Sequence, residues 1–478
     1  MNASTFLRRP LAASALAALL AGCSMMPTYE RPAAPVPGEW PQPAATSGTA
    51  ASELPWQQFF TDDRLRQLIE IALRNNRDLR VAILNIEQAR AQYDIRRADR
   101  LPSVGAQVNA SRTPKGGDEA TNLYNAGLAI TAWEIDLFGR IASLSEAALA
   151  QYLATEEGRK AAQTSLVATV ASSWLALVAD QELIELTRQT LATREESLRL
   201  ARLRFDNGVT SELDFRLAQS LAETARVTLA QLTRQSAVDL NSLALLLGQP
   251  VPPDMTAQVT TASVSLPDLP AGTPSEVLTR RPDVRQAEQQ LVAANASIGA
   301  ARAAFFPRIS LTAGIGTAST ELSGLFKGGS WGWTAAPQLL QPIFDAGRNR
   351  AGLASATAAR DIAIAQYERS IQAGFREVSD ALAGRATFGE QLRAQSAVAE
   401  AEAARYRLSE LRYNNGIASY LDLLDAQRSL FAARQLLVQT RLQQLQNQVL
   451  LYRALGGGWS MPPETSGLPA TGSAAANR

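Results

Sequence analysis

Apolar residues recur at spacings of three and four over 62–99. Leu65, Leu68, Ile69, Ala72, Leu73, Leu79, Ile83, Ile86 and Ala89 form one stripe, which predicts a helix that Pro102 ends. The period then drops to two. Val104, Ala106, Val108 and Ala110 alternate with residues such as Gln107 and Asn109, and Tyr124, Ala126, Leu128, Ile130 and Ala132 alternate again beyond a Thr113–Asp118 loop. This predicts a β-hairpin within 101–137, with strands of about ten residues. From Gly139 a helical pattern runs unbroken to Phe205, giving a helix over 140–205. At ~1.5 Å per residue it is about 100 Å long. Ile184, Leu191, Leu198 and Phe205 lie seven apart, the spacing of a left-handed supercoil. Asp206-Asn207-Gly208 then reverses the chain, and a return helix covers 211–247.

The same order is written a second time. A helix is expected over 275–303 and a hairpin within 306–345, carrying Ile309, Leu311, Ala313 and Ile315 on one strand and Trp331, Trp333, Ala335 and Leu339 on the other. A long helix over 348–413, an Asn414-Asn415-Gly416 turn and a return helix over 417–454 follow. Residues 199–219 overlay 407–427 with a shift of 208, and eleven of the 21 positions are identical. The same shift pairs Gly139-Arg140 with Gly347-Arg348 and Leu247-Gly248 with Leu455-Gly456. Earlier in each copy the shift is 205, pairing Asp78 with Asp283. A repeat this long is no solenoid unit but a duplicated half-domain. The copies span 62–248 and 275–456, joined by a Pro-rich linker over 249–274. A Pro- and Ala-rich strap over 23–61 docks through Trp56, Phe59 and Phe60, and a tail covers 457–478. In each copy the two shorter helices together match the long one. Stacked end to end beside it, they place strap and linker at an equatorial belt.

Each strand has the length to cross a bilayer when tilted, with one face apolar and the other small and polar. Phe138, Phe305, Phe306, Trp331, Trp333 and Phe344 gather at strand ends, where interfacial girdles form. Four strands cannot close a barrel, and open edges are not tolerated in lipid. Several chains must therefore combine: two copies give eight strands and three give twelve.

The N-terminus is a processing signal over 1–22. Arg8 and Arg9 precede an apolar stretch from Leu11 to Leu20, too short to span a bilayer, and Leu20-Ala21-Gly22-Cys23 has the form of a lipobox. Cys23 is the only cysteine, so it is expected to carry a diacylglycerol and an N-acyl chain, and Ser24 is not an inner-membrane retention signal. Without Arg8 and Arg9 the chain carries 44 basic residues against 45 acidic ones, which gives nucleic acid no purchase. There is no histidine, which removes His and Cys metal sites, Ser-His-Asp triads and Cys-His dyads. Gly314-Ile315-Gly316 lies in a strand-like segment and lacks a third glycine, so it is no phosphate loop. Neither enzymatic activity nor a cofactor or metal is expected.

These residues resemble the outer membrane factor family of tripartite efflux and export systems, in its lipoprotein branch. The resemblance rests on Trp56-x-x-Phe59-Phe60-x-Asp62, Ala72-Leu73-x-x-Asn76-x-Asp78-Leu79, Arg281-Pro282-Asp283-Val284, Phe306-Pro307-x-Ile309, both Asn-Gly turns and Tyr420-Leu421-Asp422-x-x-Asp425-Ala426-Gln427. It implies a fold of mixed α and transmembrane β structure: a homotrimer with a twelve-stranded outer-membrane β-barrel, four strands per chain, continuous with a coiled-coil α-helical tunnel in the periplasm. It implies a passive exit duct fed by an inner-membrane resistance-nodulation-division transporter through a periplasmic adaptor. The alternative is the exit duct of a type I protein secretion system.

The family closes its tunnel at the helix tips, with two aspartates in the motif that Asp422 and Asp425 match. Positions three apart share a helix face, so three copies would ring a narrow axis with six carboxylates and favour cations. Asp214 and Tyr413 match family residues that hold the gate shut, but Ala418 stands where the family has an arginine. Arg204, Asn207, Gly208 and Val209, with Arg412, Asn415, Gly416 and Ile417, form two similar tips expected to dock the adaptor. Tyr413 against Phe205 and Asp425 against Leu217 put the gate chemistry mainly in the second copy.

Overall fold

The structure is a computed structural model and describes residues 24–41, 51, 53–116, 119–256, 259–272 and 274–459. The signal segment and Cys23 lie outside the described residues. The chain divides into two compact units. One takes residues up to Ala34, Leu84–Glu157 and Arg285–Ser370, and the other takes Pro35–Ile83, Gly158–Val284 and Ile371 onward.

The first unit holds an antiparallel sheet of four strands in sequence order: β1 (Val104–Gly116), β2 (Glu119–Ile135), β3 (Arg308–Ser319) and β4 (Trp331–Leu340). The first hairpin is longer than its alternation indicates, because β1 continues through Thr113, Pro114 and Lys115. Directly opposed residues share a face, so the register decides the sheet's chemistry. Val108 opposes Ala126, Leu128 opposes Ile315, and Ile315 opposes Trp333, giving one continuous apolar face. The other face is built of small and polar residues: Gln107 opposes Gly127, Gly127 opposes Gly316, and Gly316 opposes Gly332. At Gly127 and Gly316 a Cβ would overlap the carbonyl oxygens of Ile315 and Ala126, so the β2–β3 pair closes only with glycine there. Between Ile130 and Trp133 a bulge with Ala132 at φ +50° takes up one extra residue. Ala132 therefore leaves the alternation expected of it, and Trp133 and Ile135 stay on the apolar face. Glu134 staples the sheet's lower end, accepting from Arg140 at 2.6 Å and Arg308 at 2.5 Å.

The second unit holds the main core. Phe59 and Phe60 are fully buried, Phe59 stacks 4.1 Å from Tyr452, and the Tyr452 hydroxyl donates to the Leu54 carbonyl at 2.6 Å. Val170, Ala171, Trp174 and Val178 on the first long helix and Val378, Ala381 and Leu382 on the second complete it. Trp40 of the strap stacks on Phe375 and donates to the Gly272 carbonyl.

The long helices span Arg140–Asp206 and Arg348–Asn414, 67 residues each. The return helices span Glu212–Leu247 and Tyr420–Ala454. The two opening helices are not continuous. The first is Asp63–Asn75 then Arg77–Ala98, and the second is Pro274–Arg280 then Pro282–Ala303. The breaks fall at Asn76 and Arg281, counterparts under the 205 shift. Asn76 interrupts by capping: its Oδ1 accepts from Leu79 N at 2.9 Å while its Nδ2 donates to the Leu246 carbonyl at 2.9 Å. In the second copy Pro282 starts the next helix and disfavours the helical conformation at Arg281. The buried Arg281 side chain then bonds Asp283, Glu377 and the Ala454 carbonyl.

Candidate functional site

The helix tips are built by the same short-range rules twice. Gly208 and Gly416 have φ of +71° and +74°, the left-handed conformation that ends a helix cheaply only at glycine. Val209 N bonds Arg204 O and Gly208 N bonds Phe205 O; Ile417 N bonds Arg412 O and Gly416 N bonds Tyr413 O. Each pair is a Schellman closure. Asn207 and Asn415 each donate from Nδ2 to the carbonyl four residues back, Leu203 and Leu411, at 2.7 Å. Ser211 and Ser419 then cap the return helices, accepting from Asp214 N and Asp422 N at 3.2 Å. Val209, Leu213, Ile417 and Leu421 stand exposed around the turns, and Arg412 is exposed beside them.

The carboxylates expected at the gate have different surroundings. Asp422 completes a capping box, its Oδ2 accepting from Ser419 N at 3.1 Å and Ser419 Oγ at 2.9 Å. Asp214 does similar work in the first copy, accepting from Thr210 Oγ1 and Ser211 Oγ. Asp425 is free of backbone duties and sits between two guanidinium groups, Arg405 at 2.8 Å and Arg428 at 2.7 Å. Arg405 also reaches Glu402 at 3.2 Å. The sequence signal for the Arg405 contact lies in the hairpin: residues roughly equidistant from Gly416 face each other across it.

Tyr413 meets its arginine after all, from the other copy. Arg204 donates to the Tyr413 hydroxyl and lies 5.4 Å from the centre of its ring, while the Tyr420 ring lies 5.3 Å from it on a tilt. Burial above all, with Tyr413 and Asp214 beside it, pushes the Tyr420 hydroxyl up to about 12. Arg204, read from sequence as a docking residue, is thus tied to a gate residue. Tyr413 and Asp214 line one cavity of about 350 Å³ with Arg204 and Tyr420.

A family profile described as outer membrane efflux protein matches this chain twice, over residues 68–249 and 273–457. The chain belongs to the outer membrane efflux protein family. The two matches fall on the two copies of the repeat. The toluene efflux pump outer membrane protein TtgC of Pseudomonas putida is 48% identical, over 94% of this chain and 95% of that protein. Outer membrane protein OprJ of Pseudomonas aeruginosa is 45% identical, over 95% of this chain and 97% of that protein. Among solved structures, the open-state MtrE outer membrane channel of Neisseria gonorrhoeae superposes with a TM-score of 0.85 at 41% identity, covering 91% of this chain and 99% of that one.

This efflux protein is thus an outer-membrane channel component, and its fold is that of such channels. Its first long helix has a window apolar enough to cross a membrane, but 61% of that window is buried within the protein. That window is core; the strands carry the exposed apolar face. Val108 is 80% exposed and Trp333 71% in the single chain. Apolar exposure on this scale marks a surface that meets lipid or another chain.

Proposed function

We propose that three copies of this chain close a twelve-stranded barrel in the outer membrane and that their helices line a passive, non-catalytic duct through the periplasm. The duct receives substrates from an inner-membrane resistance-nodulation-division transporter through a periplasmic adaptor. The observation that carries this is the sheet itself: four strands, unpaired outer edges on β1 and β4, and an exposed apolar face. Lipid forbids those free edges, and a barrel removes them. The relatives named as toluene and antibiotic efflux proteins point to apolar solvents and antibiotics as cargo. Cys23 carries the lipid that holds the mature N-terminus at the membrane. The paired tips, with Val209 and Ile417 exposed on near-identical turns, are the adaptor's docking points.

The gate reading follows from charge. Asp422 holds a helix start, and Asp425 supplies the carboxylate set among arginines. Removing both aspartates leaves Arg405 and Arg428 less compensated, which turns the constriction toward anions. The test is antibiotic accumulation in a deletion strain. Complementation with the wild type lowers accumulation, and purified Asp422→Ala/Asp425→Ala channels in planar bilayers lose cation preference. A wild-type complement that reaches the outer membrane without lowering accumulation would sink the efflux reading. Unchanged ion selectivity would sink the gate reading.

A further inference from the structure

The cavity between the two tips has the properties of a binding site in its own right. It is formed by the ends of the long helices and the starts of the return helices, and its volume of about 350 Å³ falls in the range of small-molecule sites. Three tyrosines line it: Tyr406, Tyr413 and Tyr420. Glu196, Asp214 and Glu410 line it with Arg204. Glu196 is held by Arg199 at 2.6 Å and Glu410 accepts from the Tyr406 hydroxyl at 3.0 Å, which leaves the carboxylates of Asp214 and Glu410 without an arginine partner among the described residues. Two polar atoms of the lining residues are shielded from solvent and have no hydrogen-bond partner among the described residues, the Tyr420 hydroxyl and Gln427 Oε1, so an occupant reaches them by turning those side chains inward. A shielded polar atom left unpaired costs ~1–3 kcal/mol, so an occupant that donates to it is favoured. The cavity already holds one cation against an aromatic face, since Arg204 lies over the Tyr413 ring.

We propose that this cavity binds a planar aromatic cation carrying amine donors. Its ring system lies against Tyr413 and Tyr420, its charge faces Asp214 and Glu410, and its amine N–H groups donate to the Tyr420 hydroxyl oxygen and Gln427 Oε1. Such a ligand competes with Arg204 for the face of Tyr413, so its binding and the Arg204–Tyr413 contact exclude each other. The site is complete within one chain and does not depend on the duct reading.

Proflavine is a suitable probe, being planar, cationic, fluorescent and a bearer of two amino groups. Fluorescence polarisation on the purified full-length protein in detergent is expected to saturate at one dye per chain. Tyr420→Phe and Gln427→Leu, both conservative in volume, weaken binding by about tenfold each, and Tyr413→Ala abolishes it. Melting curves that match the wild type place those losses at the site and not in the fold. Uptake that fails to saturate by about 1 mM overturns the proposal. So does an affinity unchanged in Tyr420→Phe and Gln427→Leu. Loss of binding in Asp425→Asn with those two variants unaffected also overturns it, because the dye then sits on carboxylates outside the cavity.

Discussion

Two residue types at the tips answer to different forces. At Gly208 and Gly416 nothing lies within 4 Å of where a Cβ would stand, so glycine is there for handedness and not for room. That was legible, because Asn-Gly after a long helical run signals a left-handed closure. The partner of Tyr413 was not legible. Arg204 precedes it by 209 positions, and the repeat pairs Tyr413 with Phe205, which has no hydroxyl to bond. A carboxyl deeper in the same unit gives a residue-scale prediction. Burial pushes Asp180 up to about 7, helped by the hydrogen bond its protonated carboxyl donates to Asp239 and by the charge of Asp239. The folded chain therefore keeps a proton that the unfolded chain releases above the ordinary value of 3.8. That stabilisation is fully present at low pH and fades as pH rises toward 7. The melting temperature of the wild type is expected to fall between pH 5 and pH 8 more than that of Asp180→Asn, which holds a neutral amide at every pH. Parallel melting curves for the two proteins across that range would count against the shared proton.

At the scale of elements, the apolar period located each helix and strand but not their interruptions. A stripe repeating every three or four residues survives one residue out of helix, which is why 62–99 reads as continuous although Asn76 stands extended at ψ 130°. The second break was nearer the surface of the sequence, since Pro282 removes a backbone donor and the shift of 205 carries its position back to the neighbourhood of Asn76. The bulge in β2 was hidden for another reason: Ala132 and Trp133 are both apolar, so alternation fits either phase. The gate carboxylates show the same gap between pattern and setting. Their spacing of three reads as a shared face, whereas Ser419 claims Asp422 for a cap. Asn76 permits a direct test of the break. Asn76→Ala removes the cap on Leu79 and the bond to the Leu246 carbonyl, at a cost of about 1–3 kcal/mol. Asn76→Asp keeps the acceptor and loses only the donor. Urea unfolding followed by helical circular dichroism is expected to rank the midpoints wild type, then Asp, then Ala. An alanine variant as stable as the wild type would mean that the break does not need its cap.

At the scale of the whole molecule, the described chain is unfinished at two places, the outer edges of its sheet. The sequence marks these edges in its prolines. Pro114 lies in β1 and Pro337 in β4, while β2 and β3, paired on both sides, contain none. Proline withholds one ladder donor, so it is excluded where both sides of a strand are hydrogen-bonded within the chain and tolerated where pairing waits on another copy. If three chains close one barrel, β1 of each must lie beside β4 of the next at about 4.8 Å. Cysteines placed on the two edge strands then come within disulfide range at one register. The chain suits this experiment, because its only cysteine is Cys23, at the lipobox and remote in sequence from both strands. A set pairing Gln107→Cys or Asn109→Cys on β1 with Thr334→Cys or Ala336→Cys on β4 keeps every substitution on the small, polar face, leaving the apolar face untouched. Oxidation in outer-membrane preparations is expected to give a trimer band resistant to heat and detergent and dissolved by reductant, strongest for one pair. Each single cysteine is expected to stay monomeric after heating. A ladder ending at dimer would fix the barrel at eight strands. Two chains would then present four tips and four gate carboxylates in place of the six of each that a trimer presents, and the docking and gate assignments would fall with them.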